Sequence, residues 1–498
     1  DILAPQCIDL LNNHIQICYG IINNYKQLLS NSDKKDILTK YARLTKQQYN
    51  PDGDPKKQRI KLQGPQPITL NHQHLDPDSP INIIHGYAVT EKADGYRAQL
   101  FITDNRGYLI TSKSKQLIVI YTGLKFPDVN GDWLFDGEYI TKNKDKEDIK
   151  LYMIFDVYHN GQSPGSKPAF NHIWYSEDER ETTRYNIMKN FELLMKSIVV
   201  DDLDSINIGF KNYEYGAMTK DMDDGLIFEK CRKILDTSDS YDYRIDGLIL
   251  MPIYTKVKGD KSLKDVTNIG GTWEYNFKWK PPEENTIDFR VTYEKNHKVY
   301  TTTIKDDETG EDKIITYKKL FLSVGYNESD DSSIDFNLKQ ALNLPKDSRK
   351  NILFKKDEGL HISNVLCKNK KVLCLRDNKE IKENDIVEMR YEKDEERGFQ
   401  WVPLRIRSDK VRPQYFTIAN NIWDTIQNPV TKDLITGKSN LNDYLIDDLD
   451  KNEAYYVNKS DYDNSKPLRS LHNYIKSLLI HLTQNVICFG FELETNMK

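Results

Sequence analysis

The sequence Lys92-Ala93-Asp94-Gly95-Tyr96-Arg97 is the stretch from which the fold of this chain can be predicted. A lysine amine can attack the α-phosphate of a nucleoside triphosphate, expel pyrophosphate and hold the nucleotide as a phosphoramidate. The glycine allows the backbone to approach a ligand closely, and an arginine a few residues later can contact a sugar or a phosphate. A Lys-x-Asp-Gly sequence also occurs by chance in surface turns, and 30% of this chain is charged. The prediction therefore depends on the segments that follow.

Five further segments with suitable charged residues follow in order along the chain. They are Asp136-Gly137-Glu138 and residues 151–156, 246–252, 277–281 and 401–410. Because side chains alternate between the two faces of a strand, Lys278 and Lys280 are predicted on one face, and so are Arg405, Arg407 and Asp409. Each segment alone is typical of an ordinary strand with a charged rim. Six such segments in this order are improbable by chance.

This ordered set resembles the covalent nucleotidyltransferase superfamily, which includes mRNA capping guanylyltransferases and ATP-dependent DNA and RNA ligases. Three features favour the capping branch. Asp246 opens the fourth segment, where ligases usually have a glutamate. Asn285-Thr286-Ile287-Asp288-Phe289 is similar to the Asn-Thr-x-Asp-Phe sequence of capping enzymes, and residues 401–410 are similar to their Trp…Arg-x-Arg-x-Asp-Lys sequence.

Two further stretches bear on this resemblance. Residues 64–70 are similar to the proline-bearing segment that precedes the lysine in capping enzymes. Val411-Arg412-Pro413-Gln414 departs from the Pro-Asn that usually follows Asp-Lys in cellular members. The resemblance covers about residues 64–412 and is strongest to the multidomain capping enzymes of large cytoplasmic DNA viruses.

The resemblance implies an α+β fold, with a ligase-like nucleotidyltransferase domain of antiparallel sheets and an OB-fold β-barrel lid. We divide the chain into a helical segment at 1–60, the nucleotidyltransferase domain at 61–288, the lid at 289–412 and a helical segment at 413–498. The last segment is expected to lead towards a methyltransferase domain, whose glycine-rich loop does not appear before residue 498.

Local patterns predict individual elements within this division. Apolar residues at spacings of three and four predict an amphipathic helix over residues 8–29. Residues 51–80 have the composition of a connector, and residues 176–236 that of a polar, helical elaboration. Short strands are expected at 299–304, 313–317, 372–375 and 385–391, and helices at 416–430 and 468–480.

The resemblance also implies a role for each residue near the nucleotide. Lys92 is the nucleophile, and Lys278 and Lys280 neutralise charge on the α-phosphate in the transition state. Burial beside these lysines and a nearby metal ion favour the neutral amine of Lys92. Glu138 and Asp246 are hard oxygen donors suited to Mg²⁺ or Mn²⁺.

Other residues are implied to bind the remaining parts of the nucleotide. Phe155 corresponds to the aromatic residue that stacks on the base, and Arg97 and Glu138 correspond to the ribose contacts. Arg405, Arg407, Asp409 and Lys410, all on the lid, are implied to bind and orient the pyrophosphate leaving group. These last contacts would form when the lid closes.

Composition restricts the possible partners and compartment. A net charge of −5 and a pI near 6.1 argue against a protein that coats nucleic acid by charge alone, so RNA contact should be local, at 368–371 or 405–412. The six cysteines show no Cys-x-x-Cys spacing and predict reduced, mostly buried thiols without a zinc site. No signal peptide or membrane-length apolar run appears, which favours a cytoplasmic protein, in a viral factory or virion if the source is viral.

The sequence thus predicts a GTP:RNA guanylyltransferase that caps the 5′-diphosphate end of RNA through a lysyl-GMP intermediate. The expected partners are RNA, an upstream RNA triphosphatase and a downstream cap N7-methyltransferase, as domains or subunits, with no membrane. Two alternatives remain open: an ATP-dependent DNA or RNA ligase, and a nucleotide-binding scaffold without catalytic activity.

Overall fold

The computed structural model describes most of the chain in ten ranges. These are residues 29–53, 60–77, 79–113, 116–161, 167–201, 204–216, 227–258, 269–305, 312–326 and 351–439, with six helical positions between residues 7 and 18. Contacts divide the chain into compact units at 1–438 and 439–498, and the fold described below is that of the first. The helix predicted at 468–480 lies outside the described residues.

From residue 29 onward, the described residues of the N-terminal part form three α-helices and two β-sheets. The helices are α1 (Asn31–Leu44), α2 (Arg184–Leu194) and α3 (Ile227–Asp236). The strands are β1 (Pro65–Thr69), β2 (Tyr87–Ala93), β3 (Tyr96–Thr103), β4 (Arg106–Lys113), β5 (Gln116–Lys125), β6 (Trp133–Lys142), β7 (Asp148–Asn160), β8 (Val199–Val200), β9 (Asn207–Phe210), β10 (Glu214–Tyr215), β11 (Ile245–Pro252) and β12 (Gly271–Trp279).

The chain passes from one sheet to the other between β2 and β3. One sheet has the order β1-β12-β11-β2-β10, and the other has the order β8-β5-β4-β3-β6-β7-β9. The β1–β12 and β7–β9 pairs are parallel, whereas the remaining pairs are antiparallel. Lys92 therefore lies at the end of a strand of the first sheet, immediately before the chain enters the second.

The seven-stranded sheet is buried on both faces, as the alternation of strand residues requires. On β3, Leu100 and Ile102 pack into one hydrophobic cluster, with Trp174 and Phe191, while Phe101 packs into another with Tyr41 of α1. Helix α1 begins with a capping box, in which the backbone N–H of Asp33 donates to the Ser30 hydroxyl at 3.0 Å. The helix thus covers the face of the sheet opposite to α2.

The C-terminal part is a curled antiparallel sheet of eight strands, consistent with an OB fold. The strands are β13 (Thr286–Tyr293), β14 (Val299–Lys305), β15 (Asp312–Gly325), β16 (Asn351–Leu353), β17 (Ile362–Lys368), β18 (Lys371–Val372), β19 (Ile386–Tyr391) and β20 (Trp401–Ile406), followed by helices α4 (Phe416–Gln427) and α5 (Lys432–Ile435). The long strand β15 pairs with β13, β14, β16 and β17, and the sheet curls around its core. Trp401 and Phe289 pack in this core, and Trp423 of α4 covers it.

The predicted α+β fold, with a nucleotidyltransferase part and an OB-type lid, is confirmed, and so is the helix predicted at 416–430. The predicted connector at 51–80 is wrong at β1, which adds a parallel strand beside β12. The segment 176–236 is only partly helical, because β8, β9 and β10 join both sheets. The proposed boundary between residues 288 and 289 falls inside β13.

Two expectations about the surface and the thiols have mixed outcomes. Leu10, Leu11 and Ile15, from the predicted N-terminal helix, are helical and exposed. The prediction of mostly buried thiols holds for Cys231 and Cys374 but is wrong for the exposed Cys7 and Cys18. No helix in the described part of the chain has the length and apolar character needed to cross a bilayer.

A buried ion pair joins α2 to β7, and removal of one partner should be costly because the other charge would stay buried. The side chains of Arg184 and Asp156 are 0% and 5% exposed, and Arg184 Nε donates to Asp156 at 2.8 Å. We predict that Arg184→Met destabilises the fold by about 3–5 kcal/mol in urea unfolding, because Asp156 is left buried without a counter-charge. Arg180, which pairs with Asp178 at the surface, provides the control: Arg180→Met should leave stability nearly unchanged. Equal effects of the two substitutions would contradict this assignment.

Candidate active site

Asp246 lies at the centre of the site and binds two of the predicted lysines. Its two carboxylate oxygens accept from Lys92 Nζ at 2.6 Å and from Lys280 Nζ at 2.7 Å. The carboxylate is 13% exposed. Burial raises the pKa of Asp246, but Lys92 and Lys280 outweigh that effect and hold the pKa below its ordinary value.

A β-bulge places Asp246 opposite Lys92. The pairing of β11 with β2 shifts register between Ile245 and Leu248, so that Asp246 and Gly247 together face one position of β2. Gly247 has a φ of 144°, and a Cβ there would lie 2.0 Å from the carbonyl oxygen of Trp279. A side chain at this position would therefore push β12, and Lys280 with it, away from Asp246.

Lys278 adds a third cation to the site. It is the penultimate residue of β12 and lies close enough to interact electrostatically with Lys92, Lys280 and Asp246. Burial lowers the pKa of Lys278, and the charges of Lys92 and Lys280 lower it further. The site thus holds three lysines around one carboxylate, which is an arrangement suited to a polyphosphate.

Glu138 is a carboxyl group whose surroundings raise its pKa. It lies on β6 opposite Arg97 of β3. Burial raises the pKa of Glu138 to about 7, although Lys211 and Lys92 act in the opposite direction. A cation or a hydroxyl donor that enters the site with a ligand would stabilise the charged form of this carboxyl group.

Arg97 is bound by Asp136 instead of being free for a ligand. Its Nε donates to Asp136 Oδ1 at 3.1 Å, and the carboxylate, which is fully buried, also accepts from the hydroxyl of Tyr158 at 2.7 Å. Gly64 has a φ of 98°, and a Cβ there would lie 2.6 Å from Arg97 Nη2 and 2.3 Å from the hydroxyl of Tyr158. The absence of a side chain at Gly64 therefore leaves room for Arg97 and Tyr158 to bind Asp136. A ribose contact by Arg97 stays a prediction.

Phe155 stands at a second bulge. Asp136 pairs with Asp156 and Gly137 pairs with Ile154, so Phe155 is the extra residue of β7. Its ring is half-buried, and the amine of Lys211 lies 5.7 Å from the ring centroid. Bulges commonly redirect a side chain next to a functional site.

Lys211 is held in a buried network that includes Glu91, the residue before the predicted nucleophile. Its amine donates to the carbonyl oxygen of Glu91 at 2.9 Å and lies 3.6 Å from the carboxylate. Tyr243 donates to the same carboxylate at 2.8 Å, and Glu91 is 1% exposed. The network ties the loop after β9 to both β2 and the residues before β11.

The predicted lid residues gather around Asp288. Arg407 Nη1 donates to both oxygens of Asp288 at 3.1 and 3.2 Å, and Lys410 also donates to it. Arg407 is further paired with Asp409 at 2.8 Å, and this hydrogen bond lowers the pKa of Asp409 to about 2. Arg405 donates to Glu388 at 2.5 Å.

The prediction that Arg405, Arg407 and Asp409 lie on one face of a single strand is wrong. Strand β20 ends at Ile406, and the chain then turns, with the Lys410 N–H donating to the carbonyl oxygen of Arg407 at 3.0 Å. The three side chains still converge, because Arg407 reaches Glu388, at 3.9 Å, as well as Asp409.

The structure therefore forms two groups from the predicted residues. Lys92, Lys278, Lys280 and Asp246 form one cluster, with Glu138 close enough to interact with Lys92 and with Phe155 beside Lys211. Arg405, Arg407, Asp409 and Lys410 cluster on the lid. Within the described ranges, no hydrogen bond or ion pair joins Lys92 to the lid group. The roles of the individual residues stay predictions.

Three residues near the site were missed by the sequence analysis. Lys211 carried no local signal, because it follows a short strand in a segment without a motif. Glu91 and Asp288 had signals that were not used: Glu91 precedes Lys92, and Asp288 belongs to the Asn-Thr-x-Asp-Phe sequence. Their importance depends on pairings between distant strands.

Comparison with known proteins places this geometry in a family. A family model of the mRNA capping enzyme catalytic domain matches residues 30–282, and a model of the mRNA capping enzyme C-terminal domain matches residues 284–436. The chain belongs to the mRNA capping enzyme family. The resemblance to capping guanylyltransferases is therefore confirmed.

Individual relatives agree with this assignment. The chain is 24% identical to a probable mRNA-capping enzyme of Acanthamoeba polyphaga mimivirus, over 95% of this chain and 41% of that protein. It is 23% identical to the mRNA-capping enzyme subunit alpha of Candida glabrata, over 74% of this chain and 78% of that one. The chain thus spans about two fifths of the length of the viral relative. Among solved structures, a mycobacterial DNA ligase D complexed with ATP and MES aligns at 12% identity with a TM-score of 0.30, over 70% of this chain and 98% of that chain, and supports no conclusion on activity.

The carboxylates of the site fit a divalent metal only in part. No group of three or more His, Cys, Asp or Glu side chains is gathered for a metal in the described part of the chain. Mg²⁺ is commonly held by one or two carboxylates together with substrate phosphates and water, and Glu138 and Asp246 offer two. Asp246 is occupied by two lysines here, so a metal would share it with them or displace one.

The raised pKa of Glu138 predicts a pH-dependent stability. A carboxyl group whose folded-state pKa of about 7 exceeds its unfolded value of 4.5 destabilises the fold as pH rises above 4.5, and fully above 7. Glu138→Gln should therefore be more stable than the native protein by about 2–3 kcal/mol at pH 8 in urea unfolding, with the difference shrinking towards pH 5. Glu395→Gln, at an exposed position, should show no such trend. A pH-independent difference at Glu138 would contradict the prediction.

Proposed function

We propose that this protein transfers GMP from GTP to the 5′-diphosphate end of RNA through a covalent lysyl-GMP intermediate on Lys92. The observation that carries the proposal is the contact of the Lys92 amine with Asp246 at 2.6 Å, inside a cluster of three lysines. Membership of the mRNA capping enzyme family supports GTP as the nucleotide and RNA as the acceptor.

In the first step, Lys92 Nζ attacks the α-phosphorus of GTP. The amine must part from Asp246 and lose a proton, after which the new P–N bond replaces the bond to the β-phosphate oxygen and pyrophosphate leaves. Lys278 and Lys280 lie beside Lys92 and stabilise the negative charge that grows on the α-phosphate oxygens. A Mg²⁺ or Mn²⁺ ion held by Glu138 and Asp246 would neutralise further phosphate charge.

The surroundings of Phe155 support guanine as the base. The Lys211 amine lies 5.7 Å from the centroid of the Phe155 ring, so a base that stacks on Phe155 would lie near an ammonium group. An ammonium group only donates hydrogen bonds, so it fits the O6 and N7 acceptors of guanine. Adenine presents an amino group in place of O6, which would repel the same cation.

The lid would contribute to the first step only. Arg407 and Lys410 are positioned together by Asp288, which suits them to bind the two phosphates of the leaving group. Once pyrophosphate has left, a terminal β-phosphate oxygen of the RNA attacks the α-phosphorus of lysyl-GMP. The P–N bond then breaks, and the amine of Lys92 recovers its proton.

Complete cap formation would require further activities. An RNA triphosphatase must supply the diphosphate end, and a cap N7-methyltransferase would act on the product. We propose that domains or subunits upstream and downstream of these residues provide them, in the cytoplasm, in a viral factory or virion if the source is viral. The share of the viral relative that the chain covers, 41%, leaves room for such domains.

Labelling with α-³²P nucleotides tests the proposed intermediate directly. GTP with Mg²⁺ or Mn²⁺ should label Lys92 through an acid-labile, alkali-stable bond, and added pyrophosphate should remove the label. Lys92→Arg should abolish labelling, because a guanidinium stays protonated and cannot attack. Lys142→Arg, at an exposed lysine of β6, should label normally. Labelling by ATP without labelling by GTP would reject the capping assignment in favour of a ligase.

The lid predicts unequal effects on the two steps. Arg407→Ala and Asp409→Ala should slow lysyl-GMP formation by about 10²–10³-fold, because pyrophosphate contacts exist only in this step. Transfer of GMP from preformed intermediate to RNA should be much less affected. Arg397→Ala, at an exposed lid arginine, should leave both rates unchanged. Equal losses in the two steps would show that the lid cluster serves RNA docking or stability instead.

A further inference from the structure

Arg244 of the N-terminal part and Arg376 of the C-terminal part bind the same carboxylate, that of Glu284. Arg244 Nη2 donates to Glu284 Oε1 at 2.9 Å, and Arg376 Nη2 donates to Glu284 Oε2 at 3.3 Å. Arg244 precedes β11, Glu284 precedes β13, and Arg376 lies in the lid between β18 and β19. The three side chains carry a net charge of +1 and are 59%, 24% and 40% exposed, in the same order.

Arg244 is attached directly to the turn that carries the nucleophile. Its carbonyl oxygen accepts from the backbone N–H of Asp94 at 2.9 Å, two residues after Lys92. Asp246, which binds Lys92, is two residues beyond Arg244. Arg244 is therefore an exposed cation that one backbone hydrogen bond connects to the turn after Lys92.

Backbone hydrogen bonds also position Glu284 and Arg376. Glu284 lies four residues after Lys280, in a 3₁₀ turn (Pro282–Glu284) that follows Pro281 and is closed by a hydrogen bond from the Glu284 N–H to the Pro281 carbonyl at 2.9 Å. The backbone N–H of Arg376 donates to the carbonyl oxygen of Leu404 at 2.8 Å, which seats it beside Arg405. Glu284 thus connects an arginine of the lid to the segment that follows Lys280.

The second step of the proposed reaction brings RNA phosphates besides the attacking one towards Lys92. When a β-phosphate oxygen of the RNA reaches the phosphorus on Lys92, the α-phosphate and the following phosphodiesters of the RNA lie farther out. Each arginine uses one Nη atom for Glu284, and a guanidinium has five N–H donors, so most donors are free of partners among the described residues. Arginine binds phosphate in a bidentate manner, which orients as well as attracts it.

We propose that Arg244 and Arg376, held together by Glu284, form the site that receives the 5′ phosphates of the acceptor RNA. This inference rests on the proposed function and adds to it the contacts of the second substrate. In this site Glu284 keeps the two guanidinium groups at a fixed spacing when RNA is absent. The same cations could instead contact the outer phosphates of GTP, and the two sources can be separated because RNA enters only after lysyl-GMP has formed.

The test compares Arg244→Gln, Arg376→Gln and the double variant in both half-reactions. Lysyl-GMP is formed with labelled GTP, freed of nucleotide, and mixed with increasing concentrations of 5′-diphosphate RNA in single turnover. Each variant should need about tenfold more RNA for half-maximal transfer, with a much smaller effect on the GTP dependence of lysyl-GMP formation. The slope of log affinity against log salt should fall by about 0.7 for each RNA phosphate that the variant no longer binds. Arg180→Gln is the matched control, because Arg180 is a surface arginine that pairs with Asp178 and not with Glu284.

Two results would overturn the inference. Unchanged RNA dependence in the double variant would show that the arginines do not receive RNA. An equal or larger loss in lysyl-GMP formation would assign them to GTP or to lid closure. Failure of the proposed function is seen separately, as absence of lysyl-GMP in the native protein. In that case, filter binding of RNA with 5′-diphosphate and 5′-hydroxyl ends still tests the site, because the preference for the diphosphate end should disappear in the double variant.

Discussion

The carboxylate of Asp246 is the constraint on which the site depends. It lies on the central member of three adjacent strands, β12-β11-β2, and its oxygens bind Lys92 of β2 and Lys280, the residue after β12. Strand pairing alone would bring the backbones together, but three lysines in a half-buried pocket repel one another. The shared carboxylate offsets this repulsion and keeps Lys92 and Lys280 directed towards the same space. Gly247 makes the arrangement possible, since no other residue fits so close to Trp279.

Much of this site could be predicted from the sequence, for a physical reason. Phosphate chemistry requires particular residue types, and Lys92, Asp246 and Lys280 each lie in a short segment that can be recognised in the sequence. The positions of Phe155 and Asp246 at bulges could not be predicted, because a bulge depends on the register of a partner strand far away in the chain. Lys211 was missed for the same reason: β9 reaches the site only through its parallel pairing with β7.

In the lid, the alternation of side chains along a strand did not predict where the charged residues lie. Arg405 follows the period of β20, but Arg407 lies beyond the end of the strand, where its position is set by the buried carboxylate of Asp288. A charged side chain with a nearby counter-charge follows the ion pair more closely than the strand period. The correct cluster was therefore predicted from an incorrect geometry, and only the residue types were reliable.

Three charged groups in the described part of the chain share one arrangement. Asp246 binds Lys92 and Lys280, Asp288 binds Arg407 and Lys410, and Glu284 binds Arg244 and Arg376. In each group one carboxylate binds two cations and holds them close together, although the chain as a whole carries a net charge of −5. An isolated phosphate monoester gains little from such a group, because it must compete with the carboxylate that the cations already bind. A ligand with several linked phosphates can engage successive groups at once, and the favourable terms then add within a single molecule. The arrangement therefore favours polyphosphates and phosphorylated RNA ends over single phosphates, without the general affinity for nucleic acid that a basic surface would give.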